Sequence, residues 1–428
     1  MYSLIIGFYA MIVRLISPFH KKAGLMVKGQ KQTFDILRKQ IDPQARYIWF
    51  HVASLGEFEQ GRPLIEKVRE QHPEYKVLLT FFSPSGYEVR KNYPGADVIC
   101  YLPFDFYRNA KKFIKLASPE IAIFIKYEFW QNYLNQLKKN NIPTYIVSAI
   151  FRPKQIFFKW YGAGYRSVLK SFEWLFVQDR ESIDLLNKYD ITNASISGDT
   201  RFDRVAEIFE QKKSFDLIEK FLHTNPQGEN SENDSEKIPE KDVTLVVGSS
   251  WPKDEEIYIP YFNNHPAVKL IIAPHEINEE HLQYITSRLE RPYAFYSKVT
   301  ADEIKNIDCL IIDNFGMLSS IYRYGDIAYI GGGFGSGIHN ILEAAVYGIP
   351  VLFGPNHKKF KEASDLIACH GAFSIQNSDS FEQKMNELLS YDEILNNAGK
   401  NAGEYVQNNI GATKIILEKI FHTNLKSV

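Results

Sequence analysis

The stretch from Tyr324 to Pro355, YGDIAYIGGGFGSGIHNILEAAVYGIPVLFGP, constrains the fold of this chain more than any other. Its apolar run from Ile327 to Ile330 predicts a buried parallel strand. Gly331, Gly332, Gly333, Gly335 and Gly337 follow at once. Ile341, Leu342, Ala345 and Val346 recur at helical spacing and predict a helix from His339 to Tyr347. A second strand is expected from Pro350 to Phe353, ending in Gly354-Pro355. Strand, glycine loop, helix and strand make a βαβ unit.

The chemistry of such a loop favours an anion. Glycines let the backbone approach a bulky phosphate, and the free N–H groups at a helix start point at it. Asn340 and Glu343 are three residues apart and share a helix face. A carboxylate there would repel phosphate, so it suits sugar hydroxyls, as the acidic residue does in dinucleotide folds. The loop therefore reads as a nucleotide site, with phosphate at the glycines and ribose at Glu343. A glycine-rich turn that only packs a helix on a sheet has the same composition.

With 428 residues, the chain is too long for one ordinary core and predicts two domains. A hydrophobic content of 45% with 24% charged residues excludes a disordered chain. The net charge of −1 gives no global basic field to draw nucleic acid. Cys100, Cys309 and Cys369 lie far apart, with neither disulfide-framework nor metal spacing, and suggest a reducing compartment.

Apolar strands alternate with helical patterns along the first half: Tyr47–Ala53, Val77–Phe82, Val98–Leu102, Ile121–Ile125, Thr144–Ala149, Trp174–Gln178 and Ala194–Ser197. This alternation predicts a parallel α/β sheet. Polar residues cluster just after strands: Ser54, Gly56 and Glu57; Ser83 and Ser85; Glu128; Arg152. In a parallel sheet these positions share the carboxyl edge, where open α/β sheets bind ligands. Glu57 opens a helix immediately after a strand and is a candidate general base; a Glu in a first turn is also a favourable dipole partner. Glu128 has the same two readings, and His51, inside its strand, reads as a core or supporting histidine.

Residues Tyr2 to Val13 are apolar apart from Ser3, and His20, Lys21, Lys22, Lys28 and Lys31 follow. The apolar run is short of the ~20 residues of a membrane span. An apolar helix followed by lysines fits an anchor at an anionic cytoplasmic membrane face; a buried core helix is the other reading. Thr224 to Asp242 is polar and charged and reads as a linker or surface insertion. A second α/β series begins at Val243, and helices are expected over Phe381–Leu389 and from Tyr391 to about Ile420. Two Rossmann-like lobes with parallel sheets and an inter-lobe cleft, the glycine loop being in the second, describe a GT-B architecture.

An ordered set of segments resembles the Kdo (3-deoxy-D-manno-octulosonic acid) transferases of lipopolysaccharide synthesis. In the first half these are HVASLGE (His51–Glu57), TFFSPSG (Thr80–Gly86), YLPFD (Tyr101–Asp105), YEFWQN (Tyr127–Asn132) and SGDTRFD (Ser197–Asp203). In the second they are GSSWPKDEE (Gly248–Glu256), IIAPHE (Ile271–Glu276), DNFGMLSSIYRYGDIAYIGGGF (Asp313–Phe334) and SGIHNILEAAVYGIPVLFGPN (Ser336–Asn356). The resemblance implies an inverting glycosyltransferase without cofactor or bound metal. Its donor would be CMP-Kdo and its acceptor lipid IVA, at the cytoplasmic face of the inner membrane. It implies Glu57 as catalytic base and Ser54, Ser83, Ser85, Glu128 and Arg152 on the acceptor side. Gly248, Ser249, Pro274, His275, Gly316, Met317, Gly333, Gly335, Gly337, His339, Asn340 and Glu343 would face the donor.

The corresponding division is an anchor over residues 1–20, an acceptor-binding domain over 21–205, a linker over 206–242 and a CMP-Kdo-binding domain over 243–428. Acceptor phosphates would need cations, for which Arg62, Arg90, Lys126 and Arg152 are candidates. The chain departs from the family pattern in three places. Lys126 to Gln131 replaces Glu-Thr-Glu-Leu-Trp-Pro and keeps only the second Glu. His275 stands where an Arg is expected near the donor's charges, and Trp251 where a His is expected. The other readings are a GT-B transferase using a UDP-sugar and a lipid-linked acceptor, a sugar-nucleotide epimerase, and a nucleotide-sensing membrane scaffold.

Overall fold

The computed structural model describes residues 2–223 and 243–424; the polar stretch Thr224–Asp242, expected as a linker, lies outside them. Among the described residues fourteen strands form two sheets of seven, every pairing parallel. The first sheet contains β1 (Arg46–Val52), β2 (Tyr75–Phe81), β3 (Val98–Tyr101), β4 (Ile121–Ile125), β5 (Thr144–Ala149), β6 (Trp174–Val177) and β7 (Ala194–Ile196), in the order β3-β2-β1-β4-β5-β6-β7. The second contains β8 (Val243–Ser250), β9 (Val268–Pro274), β10 (Tyr293–Phe295), β11 (Cys309–Ile311), β12 (Ile327–Ile330), β13 (Val351–Phe353) and β14 (Ala372–Ser374), in the order β10-β11-β9-β8-β12-β13-β14. Sequence patterning missed β14, whose three residues carry too little periodicity to register.

The central strands read as continuous apolar runs because both of their faces are covered. In β1 every residue after Arg46 is buried, and β4, β9 and β12 are buried throughout. Strand order reverses between β1 and β4 in the first sheet and between β8 and β12 in the second. At such a reversal the connections leave in opposite directions and open a crevice at the carboxyl ends of the two strands.

The chain divides into two compact units, one comprising the chain up to Arg204 together with the chain from Asn409, the other Val205–Asn408. The second domain was expected to run from 243 to 428, but the chain from Asn409 belongs to the first unit. The helical pattern from Arg204 to about Leu222 forms the helices Thr200–Glu210 and Asp216–Leu222. The single helix expected from Tyr391 is broken into Asp392–Gln407 and Ala412–Asn424. Gly411 between them takes φ +116°, which an L side chain rarely adopts. After this break the last helix packs on the first unit: Ile416, Leu417 and Ile420 join Phe50, Leu64, Val68 and Leu79 in one cluster. Asp203 fixes the crossing by accepting from the N–H groups of Gly411 and Thr413 at 2.6 and 2.7 Å.

The amino terminus forms helices α1 (Tyr2–Ile16) and α2 (Lys21–Gln40). One side of α1 is seated on the first unit through Ala10 and Val13, beside Phe104. The Tyr2 hydroxyl donates to Asp105 at 2.6 Å, and Asp105 also accepts from the N–H groups of Asn132 and Tyr133 at the start of helix Gln131–Lys139. The other side exposes Leu4, Ile5, Phe8, Met11, Leu15 and, just beyond, Phe19. Among the described residues no single helix is long and apolar enough to cross a membrane.

Four of the five tryptophans belong to the first unit, so intrinsic fluorescence reports its unfolding. Ile416→Ala should lower the urea stability of that fluorescence transition by about 2–4 kcal/mol, the cost of a cavity in a packed core. An unchanged midpoint would contradict the seating of the last helix on this unit.

Candidate active site

In the first unit the crevice between β1 and β4 holds two carboxylates. Glu57 stands in the first turn of α3 (Leu55–Gln71), where the Ser54 hydroxyl caps the helix by accepting from the Glu57 N–H. The Glu57 carboxylate turns back and accepts from the Ala53 N–H at 2.5 Å. Burial and the neighbouring charge of Glu128 push the Glu57 carboxyl up to about 8, against hydrogen bonds from Ala53 and Ser54 and the charge of Lys126. Lys126 takes φ +68° as the chain leaves β4; strained backbone of this kind persists where the surroundings over-determine it.

Glu128 is buried and fixed. It meets His51 Nε2 at 3.1 Å and accepts from the Trp130 indole at 2.5 Å. On the other side of the ring, His51 Nδ1 lies 2.8 Å from the Thr80 hydroxyl, which also accepts from the Trp49 indole at 2.8 Å. That hydroxyl has one proton, and Nδ1 is its nearer acceptor than the Phe50 carbonyl at 3.4 Å. His51 Nε2 faces both Glu128 and the Trp130 indole, the latter at 3.0 Å. His51 is thus the supporting histidine the sequence suggested. The Thr80 and Trp49 partners were not foreseen, although His51 and Thr80 face each other in the β1–β2 register.

Ser83 joins the same edge, its N–H donating to the Ala53 carbonyl at 2.7 Å. Its hydroxyl caps helix Pro84–Arg90 and touches Ser85. Arg152 is exposed on the loop after β5. Two of the cation candidates are committed elsewhere: Arg62 pairs with Glu66 at 2.7 Å, and Arg90 with Glu59 at 2.8 Å.

In the second unit the glycine loop follows β12 at the other order reversal. Asp254 organises its start, accepting from the Gly332 N–H at 2.8 Å, the Trp251 N–H at 3.0 Å and the Tyr329 hydroxyl at 3.0 Å. Gly333 is required by close approach, since a Cβ there would lie 2.5 Å from the Gly354 nitrogen. Packing therefore explains part of the glycine content. The helix expected from His339 begins only at Leu342 and ends at Ala345. The N–H groups of Gly335 and Gly337 turn back to the Gly332 carbonyl, and that of His339 to Gly331, so the segment winds as a loop. Among the described residues, the N–H groups of Gly333 and Ser336 do not turn back in this way.

Asn340 Nδ2 donates to Glu343 Oε1 at 3.0 Å, and the Ser319 hydroxyl to Glu343 Oε2 at 2.8 Å. Both carboxylate oxygens are thereby held in place. Ser319 follows the Gly316–Met317 turn, so that expected donor segment reaches Glu343. Gly248 and Ser249 end β8, with Ser249 at φ +55°, and the Gly248 carbonyl accepts from the Gly331 N–H. Pro274 ends β9 opposite Ser250.

His275, which stands where the family pattern has an Arg, lies in an aromatic stack. Its ring stacks between Trp251 at 4.6 Å and His339 at 4.3 Å. Burial holds His275 below its ordinary value, and burial with the neighbouring His275 pushes His339 down to about 4. The Trp251 indole donates to His339 Nε2 at 3.2 Å, which requires that nitrogen unprotonated. This aromatic stack was invisible in sequence, since its members lie on three separate loops.

Residues 27–204 match the family model described as 3-deoxy-D-manno-octulosonic-acid transferase (kdotransferase). The transferase of that name from Aquifex aeolicus is 26% identical over 351 residues, covering 80% of this chain and 86% of its own. Its counterpart from Rickettsia prowazekii is 26% identical over 405 residues, 91% of this chain and 81% of its own. Along most of its length the chain is similar to Kdo transferases. Glu57, Glu128 and Arg152 all fall inside the span matched by the Kdo transferase model. Among solved structures, UDP-GlcNAc 2-epimerase from Neisseria meningitidis matches with TM-score 0.59 at 15% identity, covering 88% of this chain and 100% of its own. MurG from Acinetobacter baumannii matches with TM-score 0.53 at 12% identity, covering 88% and 99%. These likenesses establish the GT-B type of fold for this Kdo transferase relative.

The raised Glu57 value has a consequence for stability. The folded protein holds this proton more tightly than an unfolded chain, whose glutamate titrates near 4.5. Its contribution is therefore present at low pH and is lost as pH rises through about 8. Glu57→Gln should melt at a higher temperature than the wild type above that pH, by an order of a few degrees, and the gap should close toward pH 5. A pH-independent difference in calorimetric Tm would contradict the assignment.

Proposed function

We propose that the protein transfers Kdo from CMP-Kdo to lipid IVA with inversion at the anomeric carbon, in lipopolysaccharide synthesis. The reading is carried by one observation: a half-buried Glu57 whose proton is held to about pH 8 beside the fixed carboxylate of Glu128, at the order reversal of the sheet. A general base is most effective when its affinity for protons is near the working pH. An acceptor glucosamine hydroxyl attacks the anomeric carbon, forming the new C–O bond while the bond to the CMP phosphate breaks. Glu57, ionised, takes the hydroxyl proton. Glu128 keeps Glu57 basic, and His51 and Trp130 keep Glu128 in position. The transition state is oxocarbenium-like, as in other glycosyl chemistry. Loop N–H groups near Gly333 meet the leaving phosphate, and Glu343, with Asn340 beside it, takes the cytidine ribose.

The acceptor is a lipid, and the exposed side of α1 suits its surface. Leu4, Phe8, Leu15 and Phe19 are 61–91% exposed, and the lysines at 21, 22, 28 and 31 beyond them are exposed as well. The 15 residues of α1 extend about 22 Å, too little for a bilayer core of roughly 30 Å. The helix therefore lies in the interface of the inner membrane, on its cytoplasmic side.

The test of the chemistry is transfer from freshly generated CMP-Kdo to lipid IVA by the purified protein, followed by mass. The wild type should add Kdo, and Glu57→Gln should lower kcat about 10²–10⁴-fold. Wild-type kcat/KM should rise with pH through about 8, because only the ionised carboxyl accepts the proton. A folded Glu57→Gln protein with near-normal turnover would remove Glu57 from the mechanism. For the membrane contact, the triple change Leu4→Ser, Phe8→Ser, Leu15→Ser should abolish co-sedimentation with anionic vesicles, roughly 1.5–3 kcal/mol being lost per side chain; retained binding would refute the α1 contact.

A further inference from the structure

The donor in the reading above carries two anionic groups, a phosphodiester and the carboxylate of the acidic sugar. A carboxylate taken out of water needs a cation or several donors around it. His275 and His339 are neutral at physiological pH, so the stack that occupies the expected position brings no charge.

Charge is found on the segment after β13. A cavity of about 660 Å³ opens between Gly335 and Ser336 of the glycine loop and His357, Lys358 and Lys359, with Gln376 on its wall. None of its lining residues is acidic. Its volume falls within the ~300–1,000 Å³ of small-molecule pockets and far exceeds a lone phosphate. Its two walls are fixed to each other. The Asn356 N–H donates to the Gly333 carbonyl at 2.9 Å, the Asn356 amide to the Gly335 carbonyl at 2.8 Å, and Lys359 Nζ to the Ser336 carbonyl at 3.3 Å. His357 Nδ1 is a buried nitrogen with no hydrogen-bond partner among the described residues. Native structures seldom leave such an atom unpaired without a ligand, ion or water to receive it.

We infer that His357, Lys358 and Lys359 form a carboxylate subsite of the donor pocket, which selects a nucleotide-activated acidic sugar over a neutral one. The identity of the nucleotide rests on the Kdo-transfer reading; the subsite rests on the cavity, its two ammonium groups and the unpaired imidazole nitrogen. Lys359 reaches the loop, and Lys358 lines the same cavity, one wall of which is the glycine loop. The subsite takes over the charge compensation that the neutral aromatic stack cannot give.

The experiment compares wild type with the double variant Lys358→Gln, Lys359→Gln, measuring transfer kinetics with freshly generated CMP-Kdo and calorimetric affinity for CMP. Both lysines are exposed, so their loss does not endanger the fold. The KM for CMP-Kdo should rise about 10-fold or more, as expected for lost charge-assisted hydrogen bonds, while CMP affinity stays within about twofold. The charge-keeping pair Lys358→Arg, Lys359→Arg should recover most of the KM. An unchanged KM in the glutamine pair overturns the subsite. An equal loss of CMP affinity overturns the carboxylate assignment, because it puts the lysines on the phosphate. A wild type that binds no CMP and transfers no Kdo overturns the donor reading itself, and the subsite with it.

Discussion

Every strand pairing in both sheets is parallel, and the rest of the structure depends on that constraint. A parallel sheet gathers all strand exits on one edge, and a reversal of strand order leaves one place on that edge uncovered by connections. Glu57 follows β1 and Glu128 follows β4; Trp251 follows β8 and the glycine loop follows β12. The two candidate sites, one in each unit, are thus consequences of topology before they are consequences of side-chain chemistry.

Within the first sheet, function and stability pull against each other. His51 and Thr80 are polar groups in otherwise apolar buried strands, and such groups are tolerated only when their hydrogen bonds are made. Here they are made by one another and by two indoles, and the chain of contacts ends on Glu128. The fixed charge of Glu128 then contributes to raising Glu57. A cluster that would be a liability in a purely structural core becomes the means by which one carboxyl is made basic.

The apolar strands were legible because burial on both faces leaves runs of Val, Ile and Phe that no other environment would tolerate. The glycine loop was legible as a loop, but the first residue of its helix was not, because backbone groups that could have continued the helix turn back to Gly331 and Gly332 instead. Glu57 could be singled out from its position after a strand; the His51–Thr80–Trp49 support could not, since it depends on strand register rather than spacing. The Trp251–His275–His339 stack shows the same limit, three loops converging where sequence presents unrelated departures from a family pattern. The amphipathic pattern of the last helix announced a helix but carried no information on which sheet it would cover.

The return of that last helix makes the first unit discontinuous, and this bears on how the protein is made. A ribosome delivers β1 to β7 early, yet Ile416, Leu417 and Ile420 belong to the cluster that covers β1 and β2. Domains generally fold as units in order of synthesis. Here the earlier unit cannot finish its core until some two hundred further residues, the whole of Val205–Asn408, have emerged. During that interval one flank of its sheet presents apolar surface without its cover, so the nascent chain spends the time of translating the second unit as a client for whatever shields such surfaces.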